Sequence, residues 1–165
     1  LVGYVKSRGI NRMKTYLSDD RPQPESQIGA ALESLAHTIH ERRDAGEKSY
    51  TYRLLMGDLD KLLKKLVEEA HETTLAAKDI AALDAVAAAK PDAVDEKLRS
   101  VEVDHLRYEA GDVVYHLMVL LERCGISLDE FAAEMNSRMT EDEISLRQGV
   151  VLLKPEHINR GHHEE

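Results

Sequence analysis

The chain has 165 residues, the length of one ordinary domain, and its 31 acidic and 22 basic residues give a formal net charge of −9. Nucleic acids and anionic membranes are bound by clustered positive charge, so this balance argues against both as partners. Apolar residues make up 42% of the chain, which is enough for a core. The single cysteine, Cys124, excludes an intrachain disulfide and favours a reducing, cytoplasmic location.

The two ends of the chain differ from its middle. Residues 1–25 mix Gly, Pro and acidic residues without a sustained period, and we interpret them as an N-terminal leader. The folded domain is predicted at residues 26–140, followed by a C-terminal extension at 141–165. A short apolar run at residues 150–153 predicts a strand or an extended arm. Because the sequence has no run of 18 apolar residues and no signal-peptide core near its start, neither export nor membrane insertion is expected.

Apolar residues recur every three or four positions in three long stretches, which predicts three amphipathic helices. A short segment that opens at Ser49 separates the first helix from the second. Ser127 and Glu130 form a capping box, which predicts the start of a fourth helix. The four main helices are predicted at about residues 27–43, from 59 to about 80, 105–123 and 127–139.

Two apolar stripes are predicted to face the core. On the second helix the stripe consists of Leu59, Leu62, Leu63, Leu66, Ala70 and Ala77. On the third helix it consists of Ala110, Val113, Val114, Leu117, Leu120, Leu121 and Cys124, with Gly125 as the residue that ends the helix.

Residues 81–104 differ in composition from the helices on either side, since they are rich in alanine and contain Pro91. Proline breaks a helix interior, so we predict two short helical pieces around it, forming a peripheral insertion. The chain has no internal repeat and no clear alternation of strands and helices. The predicted fold is therefore all-α, a bundle of four main helices.

Acidic residues lie beside both apolar stripes. Glu69 and Glu72 are three positions apart on the second helix, and Glu109 and Asp112 repeat that spacing on the third. If the two helices pack stripe to stripe, four carboxylates converge, and their repulsion requires a compensating cation. Oxygen ligands select a hard ion, Mg²⁺ or Mn²⁺, which favours metal-assisted chemistry on a phosphorylated substrate. The alternative is a solvated helix face, on which Lys65 simply pairs with Glu69.

Three blocks of sequence, in this order, resemble the phosphoribosyl-ATP pyrophosphohydrolase family. They are S-Y-T at residues 49–51, K-x-x-E-E-x-x-E from Lys65 to Glu72, and E-x-x-D-x-x-Y-H from Glu109 to His116. This family belongs to the all-α nucleoside triphosphate pyrophosphohydrolases of the MazG-like group. The resemblance covers about residues 28–139 without the insertion.

The resemblance implies Mg²⁺-dependent cleavage of phosphoribosyl-ATP to phosphoribosyl-AMP and pyrophosphate, the second step of histidine biosynthesis, in a homodimer or higher homo-oligomer. It assigns metal binding to the four acids named above and catalysis to Glu68 and Glu69. The substrate-binding residues that it implies are Lys61, Lys65, Ser49, Thr51 and His116. From their positions alone, Ser49 and Thr51 are equally consistent with capping a helix, and His116 with a place at the edge of the core.

Three departures from the family pattern leave the substrate open. Val67 stands where the family usually has glycine, the stretch between Glu72 and Glu109 is longer than typical, and both ends are extended. The alternative enzyme is a housecleaning hydrolase of free nucleoside or deoxynucleoside triphosphates on the same acids. The non-catalytic alternative is a helical oligomerisation module whose acidic residues only face solvent.

Overall fold

The computed structural model describes residues 27–138, and within them every regular element is helical. This confirms the predicted all-α class. The leader, the C-terminal extension with its apolar run, and Met139 lie outside the described residues. The helices are α1 (Ile28–Glu41), α2 (Tyr50–Met56), α3 (Leu59–Ala89), α4 (Glu96–Arg123) and α5 (Leu128–Asn136), with 3₁₀ turns at Arg42–Asp44 and Pro91–Ala93. None of these helices combines the length and hydropathy needed to span a membrane.

Local sequence signals account for where the helices begin and end. The side chain of Ser49 accepts a hydrogen bond from the backbone N–H of Tyr52 at 3.3 Å and so caps α2. The predicted capping box is confirmed, because Ser127 and Glu130 bond each other's backbone N–H groups at the start of α5. Gly125 follows α4 with a φ of 72°, a left-handed conformation that glycine adopts without strain.

The prediction for residues 81–104 is wrong in one respect. Pro91 does interrupt the helical path, but the residues around it are not two separate short helices. They form the end of α3, which reaches Ala89, and the beginning of α4, which starts at Glu96. The alanine-rich sequence continues α3 because alanine is the strongest helix former, and Asp95 caps the new start of α4.

The longer helices form one antiparallel hairpin. Asp84 on α3 and Arg99 on α4 pair across it, with Arg99 Nε 2.7 Å from Asp84 Oδ1. A linker between residues 81 and 102 would therefore join positions that face each other across the hairpin. We expect that replacing residues 82–101 with Gly-Asn-Gly-Asp shortens both helices by about two turns and leaves the core and the acidic residues in place.

The shortened protein should remain helical by circular dichroism, since loop closure depends only weakly on length, about 0.6 kcal/mol per doubling. An unfolded product would mean that the end of the hairpin belongs to the core.

The hydrophobic core lies at one end of this hairpin, where α1 and α2 pack against α4. Its buried side chains come from four helices: Ile39, Leu54, Leu55, Leu62, Met118 and Val119. The predicted stripes are confirmed only in part, because Leu59 and Leu63 are exposed although Leu62 is fully buried. Cys124 is also exposed, contrary to its predicted place in the core. Helices α1 and α2 cover only part of the apolar surface that the hairpin presents.

Two arginines fasten α1 and α2 to the end of α4. Arg43, after α1, donates from Nε to Glu122 Oε1 at 2.6 Å and from Nη2 to the Glu122 carbonyl at 2.7 Å. Arg123 donates to the carbonyls of Leu54 and Gly57, both at 2.7 Å. The two Arg123 bonds satisfy carbonyls at the end of α2 that would otherwise stay unpaired, and they fix the corner between α2 and α3.

Candidate active site

The structure brings together three of the four predicted metal ligands. One carboxylate oxygen each from Glu69 and Glu72 of α3 and from Glu109 of α4 lie within 4.8 Å of one another. We call these three residues the acidic cluster. Glu69 and Glu109 are buried, and Glu72 is the more exposed member. The Asp112 carboxylate is not a member of this cluster, although the residue lies one turn beyond Glu109 on α4.

Glu109 is the most unusual member of the acidic cluster. Its side chain is only 8% exposed, and its Oε2 atom is buried without a hydrogen-bond partner among residues 27–138. Burial raises the pKa of Glu109, and the neighbouring charge of Glu72 raises it further. A buried carboxylate oxygen without a partner is costly, so this atom can accept a ligand from outside the chain.

His105 is a site residue that the sequence analysis missed. Its Nε2 atom lies 3.1 Å from Glu109 Oε1, and its Nδ1 atom lies 3.8 Å from Glu102 Oε2. Since an ionised carboxylate only accepts hydrogen bonds, Nε2–H donates to Oε1 and leaves Oε2 directed elsewhere. The spacing of four residues between His105 and Glu109 on one helix is the signal that could have revealed this contact.

Lys65 joins the acidic cluster to Glu68. Its Nζ atom lies 3.1 Å from Glu68 Oε2 and 3.2 Å from Glu69 Oε1. Burial alone would lower the pKa of Lys65, but the hydrogen bonds to both acids outweigh that effect and raise it. Lys65 is therefore charged at neutral pH and offsets part of the repulsion within the acidic cluster.

Side chains of the S-Y-T block on α2 form hydrogen bonds with the last two residues of the E-x-x-D-x-x-Y-H block on α4. Thr51 Oγ1 and the Tyr115 hydroxyl are 2.7 Å apart, and the Tyr50 hydroxyl is 3.2 Å from His116 Nε2. His116 is buried, and its Nδ1–H donates to the Asp112 carbonyl at 2.8 Å, because a carbonyl can only accept. In the neutral ring Nε2 then accepts the Tyr50 O–H.

Three of the predicted substrate-binding residues thus form hydrogen bonds within the protein itself. Ser49 caps α2, and Thr51 and His116 hold α2 against α4. Ser49 and Thr51 flank Tyr50, which lines the groove described in the next paragraph. His116 bonds the carbonyl of Asp112, which follows Glu109 on α4. Direct contact of Ser49, Thr51 and His116 with a substrate stays a prediction.

A groove opens between α2 and α3 next to the acidic cluster, with a volume of about 680 Å³. We call it the α2–α3 groove. Lys65 and Glu68 line it and connect it to the acidic cluster, and Lys61 lies further along α3. Its volume falls within the range of small-molecule sites.

The model of the family described as phosphoribosyl-ATP pyrophosphohydrolase matches residues 32–139, nearly two thirds of the chain. The chain belongs to the phosphoribosyl-ATP pyrophosphohydrolase family. The matched range contains the whole acidic cluster and every residue that lines the α2–α3 groove.

Curated relatives agree with the family match. A phosphoribosyl-ATP pyrophosphatase from Rhodopirellula baltica is 38% identical over 116 residues, which is 70% of this chain and 80% of the relative. The protein of the same name from Dechloromonas aromatica is 35% identical, over 65% of this chain and 81% of its own length, and that from Rhizobium etli is 34% identical, over 68% and 87%. No solved structure gives a significant match to the chain.

Membership of the phosphoribosyl-ATP pyrophosphohydrolase family confirms the recognition made from the three sequence blocks. The structure places residues from all three blocks around one end of the α3–α4 hairpin. Val67, where the resemblance leads us to expect glycine, is 70% exposed on α3, so its side chain lies outside the protomer's core.

Proposed function

We propose that this chain hydrolyses phosphoribosyl-ATP to phosphoribosyl-AMP and pyrophosphate, the second step of histidine biosynthesis, with a divalent cation held by the acidic cluster. Family membership supports the reaction and its substrate. The observation that carries the metal assignment is Glu109 Oε2, which is buried and unpartnered among residues 27–138 and lies in a group with two further carboxylates.

The residues present fit a hard cation such as Mg²⁺ or Mn²⁺, because all the candidate ligands are carboxylate oxygens. Glu69, Glu72 and Glu109 would hold the ion, and Asp112 remains the predicted fourth ligand. When bound, such an ion screens the charge of the triphosphate and polarises the phosphoryl group that is attacked.

The chain's own side chains supply the remaining chemistry. Glu68 is next to the acidic cluster with a side chain 40% exposed, so it is placed to take a proton from the attacking water. The water oxygen forms a new bond to a phosphorus atom of the anhydride linkage between the α- and β-phosphates as that linkage breaks, and pyrophosphate leaves. Lys65 neutralises part of the charge on that leaving group, and Glu69 keeps Lys65 in place.

Release of pyrophosphate from phosphoribosyl-ATP, followed in a coupled assay with and without Mg²⁺, tests the proposal. We expect turnover that EDTA abolishes and Mg²⁺ restores. Turnover of dUTP or dCTP in the absence of any with phosphoribosyl-ATP would instead identify a housecleaning enzyme. Absence of both turnover and calorimetrically detectable Mg²⁺ binding would favour a non-catalytic module.

We expect His105 to position Glu109 for metal binding. Replacing His105 with alanine removes the hydrogen bond to Oε1 and lets the Glu109 carboxylate turn, which should weaken Mn²⁺ binding about 10- to 100-fold. Glutamine at the same position keeps an N–H donor and should restore much of the affinity. The measurement is isothermal titration calorimetry of each variant with Mn²⁺, and equal affinities in all three proteins would contradict the role.

A homodimer is the proposed assembly, as the resemblance implies. Two apolar stripes stay exposed on the protomer, and neither belongs to the core. The outer stripe of α3 consists of Leu59, Leu63 and Val67, and the outer stripe of α4 consists of Leu98, Val101 and Tyr108; each of these side chains is 39–70% exposed. Apolar stripes of this extent are typical of surfaces that a second subunit covers.

A further inference from the structure

The α2–α3 groove continues the active site along α3. Lys65 and Glu68 belong to its lining, and Lys65 also bonds Glu69 of the acidic cluster. From Glu72 back to Lys61 the axis of α3 covers 11 residues, about 16 Å at 1.5 Å per residue. A molecule with one end at the acidic cluster could therefore place its other end in the groove, alongside Lys61.

The lining of the groove has more cationic than acidic side chains. Arg53, Lys61, Lys64 and Lys65 line it, against Glu47, Asp58 and Glu68. The lining therefore has four cations against three carboxylates, and Glu68 already pairs with Lys65 at 3.1 Å. Within residues 27–138, Lys61 and Lys64 take part in no ion pair.

Arg53 is held in a fixed position at the groove. Its Nη1 donates to the carbonyls of Glu47 and Lys48 at 2.8 and 3.4 Å, and its guanidinium carbon lies 5.8 Å from the centre of the Tyr50 ring. Because these contacts use few of its five N–H groups, the guanidinium keeps donors for an anion.

The groove also offers flat and apolar surface. Tyr50, Tyr52, Leu54 and Met56 line it together with the cations. Aromatic and apolar side chains are suited to the faces of a purine, and the cations to a phosphate beyond it. The combination matches a nucleotide that is anionic at two ends.

We propose that the α2–α3 groove binds the phosphoribosyl end of the substrate, with Lys61, Lys64 and Arg53 around its phosphomonoester. This inference rests on the proposed function. Phosphoribosyl-ATP has a triphosphate at one end and a phosphorylated ribose on the far side of its adenine, whereas a free nucleoside triphosphate has only the first anionic end. The groove would thus be the part of the site that distinguishes the two substrates.

The test compares the wild type with K61M, K64M and the double variant. We expect KM for phosphoribosyl-ATP to rise roughly 5- to 20-fold in the double variant, with little change in kcat. An effect of this size corresponds to the loss of one or two partly exposed contacts between lysine and phosphate. Lys78→Met is the matched control, because Lys78 is an exposed lysine of α3 outside the groove, and it should leave KM unchanged.

Binding of phosphoribosyl-AMP and AMP, measured by calorimetry, separates this inference from the proposed function. The wild type should bind phosphoribosyl-AMP more tightly than AMP, and the double variant should lose that difference while binding AMP as before. Equal affinity for the two nucleotides in the wild type, or an equal loss for both in the variant, would overturn the inference. Because binding needs no turnover, these results hold whichever triphosphate the enzyme cleaves.

Discussion

Replacing Glu109 with glutamine is expected to abolish metal-dependent turnover and, at the same time, to stabilise the metal-free protein. The variant keeps the shape of the side chain but loses the charge, and its loss of kcat/KM should exceed the roughly 10- to 100-fold typical of changes around a metal ligand. Without metal, the substitution removes a buried negative charge close to Glu69 and Glu72. Each kcal/mol relieved should raise the melting temperature by roughly 2–4 °C.

The two effects are measured separately, by pyrophosphate release at saturating Mg²⁺ and by thermal unfolding in EDTA. Addition of Mn²⁺ should raise the melting temperature of the wild type and leave that of the variant nearly unchanged. Glu69→Gln should behave in the same way, and Asp112→Asn tests whether the predicted fourth ligand contributes. Near-wild-type turnover in the Glu109 variant would contradict the proposed site.

A glutamate in place of Val67 should convert the proposed dimer into monomers. Val67 is 70% exposed and is the most exposed member of the outer stripe of α3, so a second subunit on that stripe would bury the new charge without a partner. Burying an unpaired charge costs several kcal/mol, which is enough to raise the dissociation constant by a factor of 100 or more. Analytical ultracentrifugation over a range of protein concentrations measures the mass of the assembly and the dissociation constant of the dimer.

Ile28→Glu provides the matched control, since Ile28 is 66% exposed but belongs to α1, which contributes no residue to either outer stripe. We expect it to sediment as the wild type does. If the Val67 variant kept the wild-type mass, the outer stripe of α3 would not be the subunit interface. A loss of helicity by circular dichroism would instead place Val67 among the residues needed for folding.

The helical class, the start of α5 and the spacing of the acidic residues could be predicted from the sequence. Periodicity of three and four residues marks α1, α3 and α4 because that spacing is a property of the helix itself. Ser127 and Glu130 identify the start of α5 because a capping box involves only neighbouring residues. The pairs at Glu69 and Glu109 are visible for the same reason, since residues three positions apart share a helix face wherever that helix packs.

The end of the hairpin was predicted less well, since Pro91 is only a local signal. A proline stops a helix at its own position, and it does not reveal whether the flanking residues join the neighbouring helices. Residues 81–89 continue α3, and residues 96–104 open α4, because each segment can pack against the other in the hairpin, as the pair between Asp84 and Arg99 illustrates.

Which apolar and acidic side chains are buried was decided only by the tertiary structure. The stripe of α3 reads as continuous in the sequence, but Leu62 is fully buried and Leu63 is exposed, because α1 and α2 cover one side of the hairpin at one end. The contact of His105 with Glu109 and the unpartnered Glu109 Oε2 follow from how α3 and α4 face each other. Burial and charge pairing depend on distances between elements, and local sequence patterns do not contain those distances.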